Sequence, residues 1–239
     1  FFISLPADLV FEGRSNNNIG AAAPLPLVEV PAGSGYLVGR GLGSINPSSD
    51  QDYWSFEALA GDVVSVSVDT PNSDLNPAVW LKNSADSNLT IDYYGAGPGV
   101  DAFISHYAIS SSGTYYVYVR EGTPWEGGGT TTGSYEIRVD VARGIQLEND
   151  ASYSNDSISG ANLLTLSAAG THRTATVAGT VMTPEGSNID EDLFGWGTIN
   201  AGNVVELDVR LPSFSSLTPS PKVTLVDSKG GEVLSAPAT

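Results

Sequence analysis

The amino-acid sequence predicts an all-β protein made of two tandem antiparallel sandwich modules. Short runs of β-branched and aromatic residues, bounded by Gly, Pro, Asn and Asp, dominate the chain and are typical of strands. No stretch of helical length carries an apolar stripe with proper caps, and residues 158–166, which come nearest, form too short a segment. A set of motifs also occurs twice in the same order, which indicates two copies of one structural unit.

Strands are predicted in both halves of the chain. Each predicted strand is a short run rich in Val, Ile, Leu, Thr or Tyr, side chains that fit a pleated surface buried on one face or both. The clearest of them span residues 63–68, 78–81, 114–120, 134–139, 204–209 and 222–226.

Four pairs of matching segments define the internal repeat. The offset between the two copies grows slowly from 139 to 144 residues along the chain. Chance accounts for one such match but not for four in one order, so the pattern predicts a duplication. The matching pairs are 16–22 with 155–161, 50–56 with 190–196, 60–64 with 201–205, and 77–81 with 221–225.

The duplication places a module boundary near residues 142–149. We expect a first module over residues 1–142 and a second over residues 143–239. The second copy reaches Thr239 before any counterpart of segments 112–119 and 133–139, so we expect it to lack its C-terminal closing strands. Such a sandwich exposes unpaired backbone edges, which either further residues of the same chain or another chain would cover.

The charge balance excludes some classes of partner. Ten Lys and Arg residues stand against 27 Asp and Glu, giving a formal net charge of −17. A surface of this sign repels phosphate backbones and anionic lipid, so we expect no nucleic-acid partner. The surplus of carboxylates suits divalent cations instead.

Several classes of site are absent from the sequence. The chain has no Cys, which excludes disulfides, thiolate zinc sites and thiol catalysis. His106 and His172 lack an accompanying nucleophile motif such as Gly-x-Ser-x-Gly, and the run 127–134 lacks a phosphate-binding Gly-Lys-Ser/Thr ending. We therefore predict no catalytic residues and a protein that is not an enzyme.

The ends and hydropathy of the chain bear on its origin. No stretch approaches the 18 apolar residues of a membrane span, so we expect no direct membrane insertion. The opening residues 1–6 are neither an initiator Met nor a complete signal peptide, and we expect the chain to be part of a longer protein.

Three of the four tryptophans allow a prediction from their position in the sequence. Trp54 and Trp196 occupy neighbouring places in the repeated aromatic motif, which favours core packing. Trp125 lies in the Gly-rich segment 124–129, where an aromatic side chain has little core to enter. We therefore predict Trp125 as a ligand contact.

The order of these motifs resembles the bacterial pre-peptidase C-terminal domain, a β-sandwich found near the ends of secreted peptidases and in many large exported proteins. The first copy carries the full pattern, and the second keeps its first three motifs but has Trp196 where the pattern has Phe. The resemblance implies two jelly-roll-like antiparallel β-sandwich domains. The motifs of the first copy are 16–17, 50–56, 60–64, 75–81, 112–117 and 133–135, and those kept in the second are 155–156, 190–196 and 201–205.

The family is similar to the collagen-binding domains of clostridial collagenases, which hold calcium between an N-terminal segment and an Asp-rich turn. The resemblance implies one Ca²⁺ site in each copy, although the same acids also suit turns and strand starts. Glu12 and Glu148 lie close upstream as additional ligands, but the number of residues between Glu12 and Asn16 differs from the number between Glu148 and Asn155. The implied ligands are Asn16, Asn17, Asp50 and Asp52 in the first copy, and Asn155, Asp156, Asp190 and Asp192 in the second.

Together these features predict a non-catalytic accessory or binding module of a larger exported bacterial protein, calcium-stabilised and either secreted or at the cell surface. The expected partners are an extracellular polymer, polysaccharide or protein matrix, or neighbouring surface-protein subunits. Two alternatives remain open: a structural repeat of a surface layer, filament or adhesin, and a domain appended to a secreted peptidase or glycoside hydrolase.

Overall fold

The computed structural model describes residues 9–13, 15–93, 101–122, 130–151, 153–181, 190–215 and 221–237. Within these residues the chain forms strands and one 3₁₀ turn, Ile19–Ala21, and it contains no α-helix. Nothing helical in this part of the chain is long and apolar enough to cross a membrane. The predicted all-β class is confirmed.

The strands are numbered in chain order. They are β1 (Leu9–Phe11), β2 (Ala23–Pro24), β3 (Val28–Glu29), β4 (Tyr36–Ile45), β5 (Gln51–Ala58), β6 (Val63–Asp69), β7 (Pro77–Lys82), β8 (Asn88–Asp92), β9 (Ala102–Ala108), β10 (Gly113–Glu121), β11 (Gly133–Ala142), β12 (Gln146–Leu147), β13 (Asn162–Leu163), β14 (Ser167–Ala169), β15 (His172–Thr174), β16 (Val177–Ala178), β17 (Phe194–Gly195), β18 (Lys222–Val226) and β19 (Glu232–Pro237).

Two sheets form a sandwich in the first half of the chain. One sheet has the order β1-β4-β11-β6-β9, with β3 also pairing β4, and the other has the order β2-β5-β10-β7-β8. The short strands β1 and β2 lie parallel to their neighbours at one edge of each sheet, and the remaining pairs are antiparallel. The predicted strands 63–68, 78–81, 114–120 and 134–139 all lie in this sandwich.

The core lies between the inner faces of the two sheets, where alternate side chains meet. Trp54 of β5 is completely buried and sits among valines and isoleucines of both sheets. Strand β4 has glycine where this ring packs, because a Cβ at Gly41 would lie 2.7 Å from the Trp54 ring. Each fully buried aliphatic or aromatic side chain contributes about 1.5–3 kcal/mol to stability.

The second half is less complete. Within its described residues, the strands form two-stranded sheets: β12 with β16, β13 with β17, β14 with β15, and β18 with β19. The β18–β19 hairpin matches the β7–β8 hairpin of the first half at an offset of about 144 residues, and β18 coincides with the predicted strand 222–226.

Backbone hydrogen bonds of the first half recur in the second, at an offset of 136 residues around β12 and β16 and of 139 to 140 residues around β13 and β17. Parallel pairing of β1 with β4 is repeated by β12 with β16, and that of β2 with β5 by β13 with β17. The matching bonds are Glu12 N–Leu42 O (3.0 Å) with Glu148 N–Ala178 O (2.9 Å), Tyr53 N–Asn16 O (2.8 Å) with Leu193 N–Asn155 O (3.1 Å), and Leu25 N–Ser55 O with Leu164 N–Gly195 O (both 2.7 Å).

A turn that precedes β6 is also repeated. Gly61 and Gly202 have φ angles of 92° and 90°, a region that glycine enters without a steric penalty. In each copy the next side chain closes the turn: Asp62 Oδ2 accepts from the Leu59 N–H at 2.8 Å, and its counterpart does the same at 3.0 Å. The local chemistry of the motif is therefore retained in both copies.

The prediction of a strand over residues 204–209 was wrong. These residues form no strand, and Val204 is 93% exposed. The corresponding strand in the first half, β6, is paired on both sides, by β9 and β11. Among the described residues, this segment has the sequence of a strand but no neighbour with which it pairs.

Candidate metal centre

An acidic cluster lies in the second half of the chain, where three segments meet. Glu148 directly follows β12, Asn155 and Asp156 lie in the turn before β13, and Asp192 lies two residues before β17. Because β13 pairs with β17, the turn residues are brought beside the Asp-rich segment. Carboxylate oxygens of Asp150, Asp156 and Asp190 lie within 4.8 Å of one another.

Hydrogen bonds fix the positions of the acids in this second-half cluster. Asn155 Nδ2 donates to Asp192 Oδ1 at 3.1 Å. The Glu191 N–H donates to Asp156 Oδ1 at 3.3 Å, and the Asn155 N–H lies 3.4 Å from Asp150 Oδ1. The backbone therefore holds the carboxylates close together despite their like charge.

Several oxygens of the cluster, including one each of Glu148, Asp150 and Asn155, are buried without a hydrogen-bond partner among the described residues. The side chains of Asp150 and Asn155 are 0% exposed. Neither Asp150 Oδ2 nor Asn155 Oδ1 has a hydrogen-bond partner among the described residues. Burying polar oxygens in this way is costly, and a bound cation is one means of satisfying them.

The pKa values reflect crowded, buried negative charge. Burial is the main cause that raises the pKa of Glu148 far above its usual range, and the neighbouring Asp192 carboxylate is the second. Burial likewise raises the pKa of Asp150 to about 6. A cation would favour the charged forms of all these groups, so cation and protons compete for the cluster.

In the corresponding first-half cluster, formed by Glu12, Asn16, Asn17, Asp50 and Asp52, hydrogen-bond donors of the protein contact Asp50 and Asp52, while Glu12 Oε2 and Asn16 Nδ2 are buried with no partner among the described residues. Asn17 Nδ2 donates to Asp50 Oδ1 at 3.1 Å. The backbone N–H groups of Gln51 and Asn46 donate to the same carboxylate at 2.9 and 3.3 Å. Three donors of the protein therefore share the Asp50 carboxylate.

Asp52 of the first-half cluster belongs to a buried chain of hydrogen bonds. Trp54 Nε1 donates to the Tyr135 hydroxyl at 2.9 Å, and that hydroxyl donates to Asp52 Oδ2 at 2.7 Å. Burial is the main cause, and the hydrogen bond with Glu12 the second, that together raise the pKa of Asp52 to about 8. Asp52 therefore holds a proton near neutral pH.

Glu12 and Glu148 occupy equivalent positions in the two copies. Glu12 Oε1 accepts from the Ser44 N–H at 2.9 Å, and Glu148 Oε1 accepts from the Thr180 N–H. Glu148 precedes Asn155 by seven residues, whereas Glu12 precedes Asn16 by four, so the second copy has three extra residues in this interval. Asp150 lies in the same interval, which the matched segments of the repeat do not cover.

The remaining aromatic predictions have different outcomes. Trp54 is a core residue, as expected, and Trp196 is half-buried beside β17. Trp125, the predicted ligand contact, lies outside the described residues.

One family model matches the chain. Residues 50–121 match the bacterial pre-peptidase C-terminal domain. This range begins one residue before β5 and ends with β10, so it lies within the first sandwich. The resemblance identified from the motifs is confirmed for this part of the chain. Among curated proteins, no sequence matches the chain.

Solved structures with low TM-scores resemble about half of the chain. The pre-peptidase C-terminal domain of a collagenase from Bacillus anthracis is 17% identical, with 49% of this chain and 93% of that chain covered and a TM-score of 0.36. PliG of Aeromonas hydrophila, a periplasmic inhibitor of g-type lysozyme, is 14% identical (50% and 96% covered, TM-score 0.34). PliG of Salmonella Typhimurium is 18% identical (50% and 98% covered, TM-score 0.32).

Proposed function

We propose that this chain is a non-catalytic accessory module of a larger exported bacterial protein, and that the second-half cluster binds Ca²⁺. The family match over residues 50–121 supports the first part of the proposal. The second part is supported by the buried, unpartnered oxygens of Asp150 and Asn155, which lie among carboxylates held together by backbone hydrogen bonds.

The donor set of the second-half cluster suits calcium. Calcium takes six to eight oxygen ligands in flexible geometry, whereas zinc prefers nitrogen and sulfur. The cluster offers oxygen ligands from six side chains and contains neither His nor Cys. Those side chains are Glu148, Asp150, Asn155, Asp156, Asp190 and Asp192.

Calcium at this cluster would have a structural role. It would join the segment before β13 to the segment before β17, which are paired here by only two residues of parallel strand. It would also offset the repulsion that crowds the carboxylates. The ion would therefore supplement the few buried apolar side chains among the described residues of the second half.

The proposed partner is an extracellular polymer, either a polysaccharide or a protein matrix, which the module would hold near the rest of the parent protein. The net charge of −17 supports a partner other than nucleic acid or anionic lipid. In this proposal the protein is secreted or located at the cell surface.

A second candidate function, a structural repeat in a surface layer, filament or adhesin, is favoured by the unpaired segment 204–209. Its apolar side chains are exposed, Val204 to 93% and Leu207 to 50%, and an added strand from a neighbouring subunit would cover them. Light scattering separates the two functions, since concentration-dependent assembly favours the repeat and a persistent monomer favours the accessory module.

Isothermal titration tests calcium binding. We expect metal-free protein to bind Ca²⁺, Asp190→Asn to weaken binding at least tenfold, and the matched first-half variant Asp50→Asn to leave it unchanged. Absence of heat with the unaltered protein would refute the metal site. Equal weakening by both variants would show that the second-half cluster is not the main site.

A further inference from the structure

The segment that carries Glu148 and Asp150 lies against strand β9 of the first sandwich. The Asp150 N–H donates a hydrogen bond of 3.0 Å to the Ser105 hydroxyl. His106 Nδ1 lies 3.1 Å from the Glu148 carbonyl oxygen, and because a carbonyl only accepts, this nitrogen carries the proton. Two consecutive residues of the first sandwich thus hold the backbone of two proposed ligands.

Strand β9 presents these side chains through a local irregularity. Its pairing with β6 shifts register between Val64 and Val66, and His106 has a φ of 58°. The His106 N–H donates to Ser65 Oγ at 3.1 Å and not to a strand carbonyl. A left-handed backbone is unfavourable for a residue other than glycine, and such strain is often retained where it positions functional groups.

A second contact reaches Glu148 from strand β11. Arg138 Nη2 donates to Thr180 Oγ1 at 2.9 Å, and the Thr180 N–H donates to the Glu148 carboxylate. Asp140 Oδ2 accepts from Arg138 Nε at 2.8 Å and so holds the guanidinium in place. Glu148 is therefore located by β9 at its carbonyl group and by β11, through Thr180, at its carboxylate.

We infer that the first sandwich is part of the cation site: Ser105 and His106 are positioning residues for the ligands Glu148 and Asp150, and cation binding fixes the second half of the chain against β9. This inference rests on the proposed function, because it concerns the same cluster. It adds that neither half alone forms the complete site.

The physical basis is the reciprocity of linked equilibria. If contact with β9 preorganises the ligands, it raises cation affinity by some factor, and the cation strengthens the contact by the same factor. Without a cation, repulsion among the buried carboxylates opposes the approach of the 148–150 segment to its neighbours. Cation binding therefore stabilises the contact between the two halves of the chain.

The test compares variants of the two positioning residues in the full chain by calcium titration. We expect Ser105→Ala and His106→Gly each to weaken Ca²⁺ binding about threefold to tenfold, the effect of one lost hydrogen bond. Glycine accepts the positive φ, so its effect reports the lost imidazole contact and not backbone strain. Ser105→Thr keeps a hydroxyl and His106→Asn keeps a hydrogen-bond donor. Each should bind Ca²⁺ more tightly than Ser105→Ala or His106→Gly at the same position.

A control variant and a scattering experiment test whether the change in Ca²⁺ affinity is specific to the contacts of Ser105 and His106. Ser67→Ala removes a hydroxyl that instead contacts Asp69, at 2.7 Å, and it should not change the affinity. Small-angle scattering should show that Ca²⁺ compacts the unaltered chain and that Ser105→Ala needs more Ca²⁺ for the same compaction. If the unaltered protein binds Ca²⁺ and both Ser105→Ala and His106→Gly bind it with unchanged affinity, this inference alone is overturned. Failure of the unaltered protein to bind would overturn the proposed function as well.

Discussion

The first-half and second-half clusters share one backbone framework but neutralise their acids by different means. In the first, Asn17 stands where the second has Asp156, and its amide donates to Asp50. The hydroxyl of Tyr135 satisfies Asp52. The second-half cluster has an additional acid, Asp150, and retains buried oxygens without such donors among the described residues.

If the second-half cluster binds the proposed cation, a duplicated acidic motif is structural in one copy and metal-binding in the other without a change of fold. In the first half an amide stands in place of one carboxylate and a tyrosine from a distant strand adds a donor, so protein groups contact acids whose second-half counterparts would contact the cation. The number of protein donors within reach of the acids decides the outcome, and the acids themselves do not.

The largest expected difference between the halves is their response to a chelator. Calcium at 100 times its Kd stabilises the state that binds it by about 2.7 kcal/mol, which is about 100-fold in an opening equilibrium. Chelation should therefore speed hydrogen exchange of the Leu193 and Glu148 amides about 100-fold. The matched first-half amides, Tyr53 and Glu12, form equivalent hydrogen bonds and should not respond.

Exchange measured by mass spectrometry on peptides from each half checks this expectation. Equal acceleration in both halves would mean that the two clusters depend on metal alike. If the chelator accelerates hydrogen exchange in neither half, calcium does not stabilise the second half.

Removal of the Tyr135 hydroxyl should produce the next largest effect. Tyr135→Phe leaves Trp54 Nε1 and Asp52 Oδ2 without their partner in a site where both residues are almost completely buried. We expect a loss of about 1–3 kcal/mol in the free energy of unfolding, measured by urea denaturation.

Tyr115→Phe is the matched control for this prediction. Its hydroxyl donates to the Ser111 carbonyl at 2.7 Å in a partly exposed place, where water can replace it. The loss should be smaller than that for Tyr135→Phe. Equal losses would show that the Tyr135 hydroxyl does not have a special role in closing the first-half cluster.

The sequence predicted most of the first half because its strands are locally consistent and their partners are present. It predicted 204–209 as a strand wrongly, since a strand also needs neighbours and residue patterns do not report whether these exist. The Asn and Asp residues of the clusters were recognised from the repeat. Asp150 was missed because it lies between Glu148 and Asn155, outside the matched segments of the repeat, and Tyr135 was missed because its contact spans 83 residues.

The smallest effect concerns pH and separates proton from metal as the neutralising agent. Burial, with the hydrogen bond to Glu12, raises the pKa of Asp52 to about 8, above its unfolded value. The folded state therefore holds a proton that the unfolded chain releases. The resulting stability is fully present only below the unfolded pKa and is lost as pH rises through about 8.

Between pH 7 and pH 8, with Ca²⁺ saturating, we expect the unaltered protein to lose at most about 1 kcal/mol, since one proton is linked to 1.36 kcal/mol per pH unit. Asp52→Asn carries a permanent amide donor in place of the carboxyl proton and should lose less over the same interval. Chemical denaturation at the two pH values measures both. An identical loss in the variant would mean that Asp52 does not hold a proton near neutral pH, and that some other group neutralises the first-half cluster.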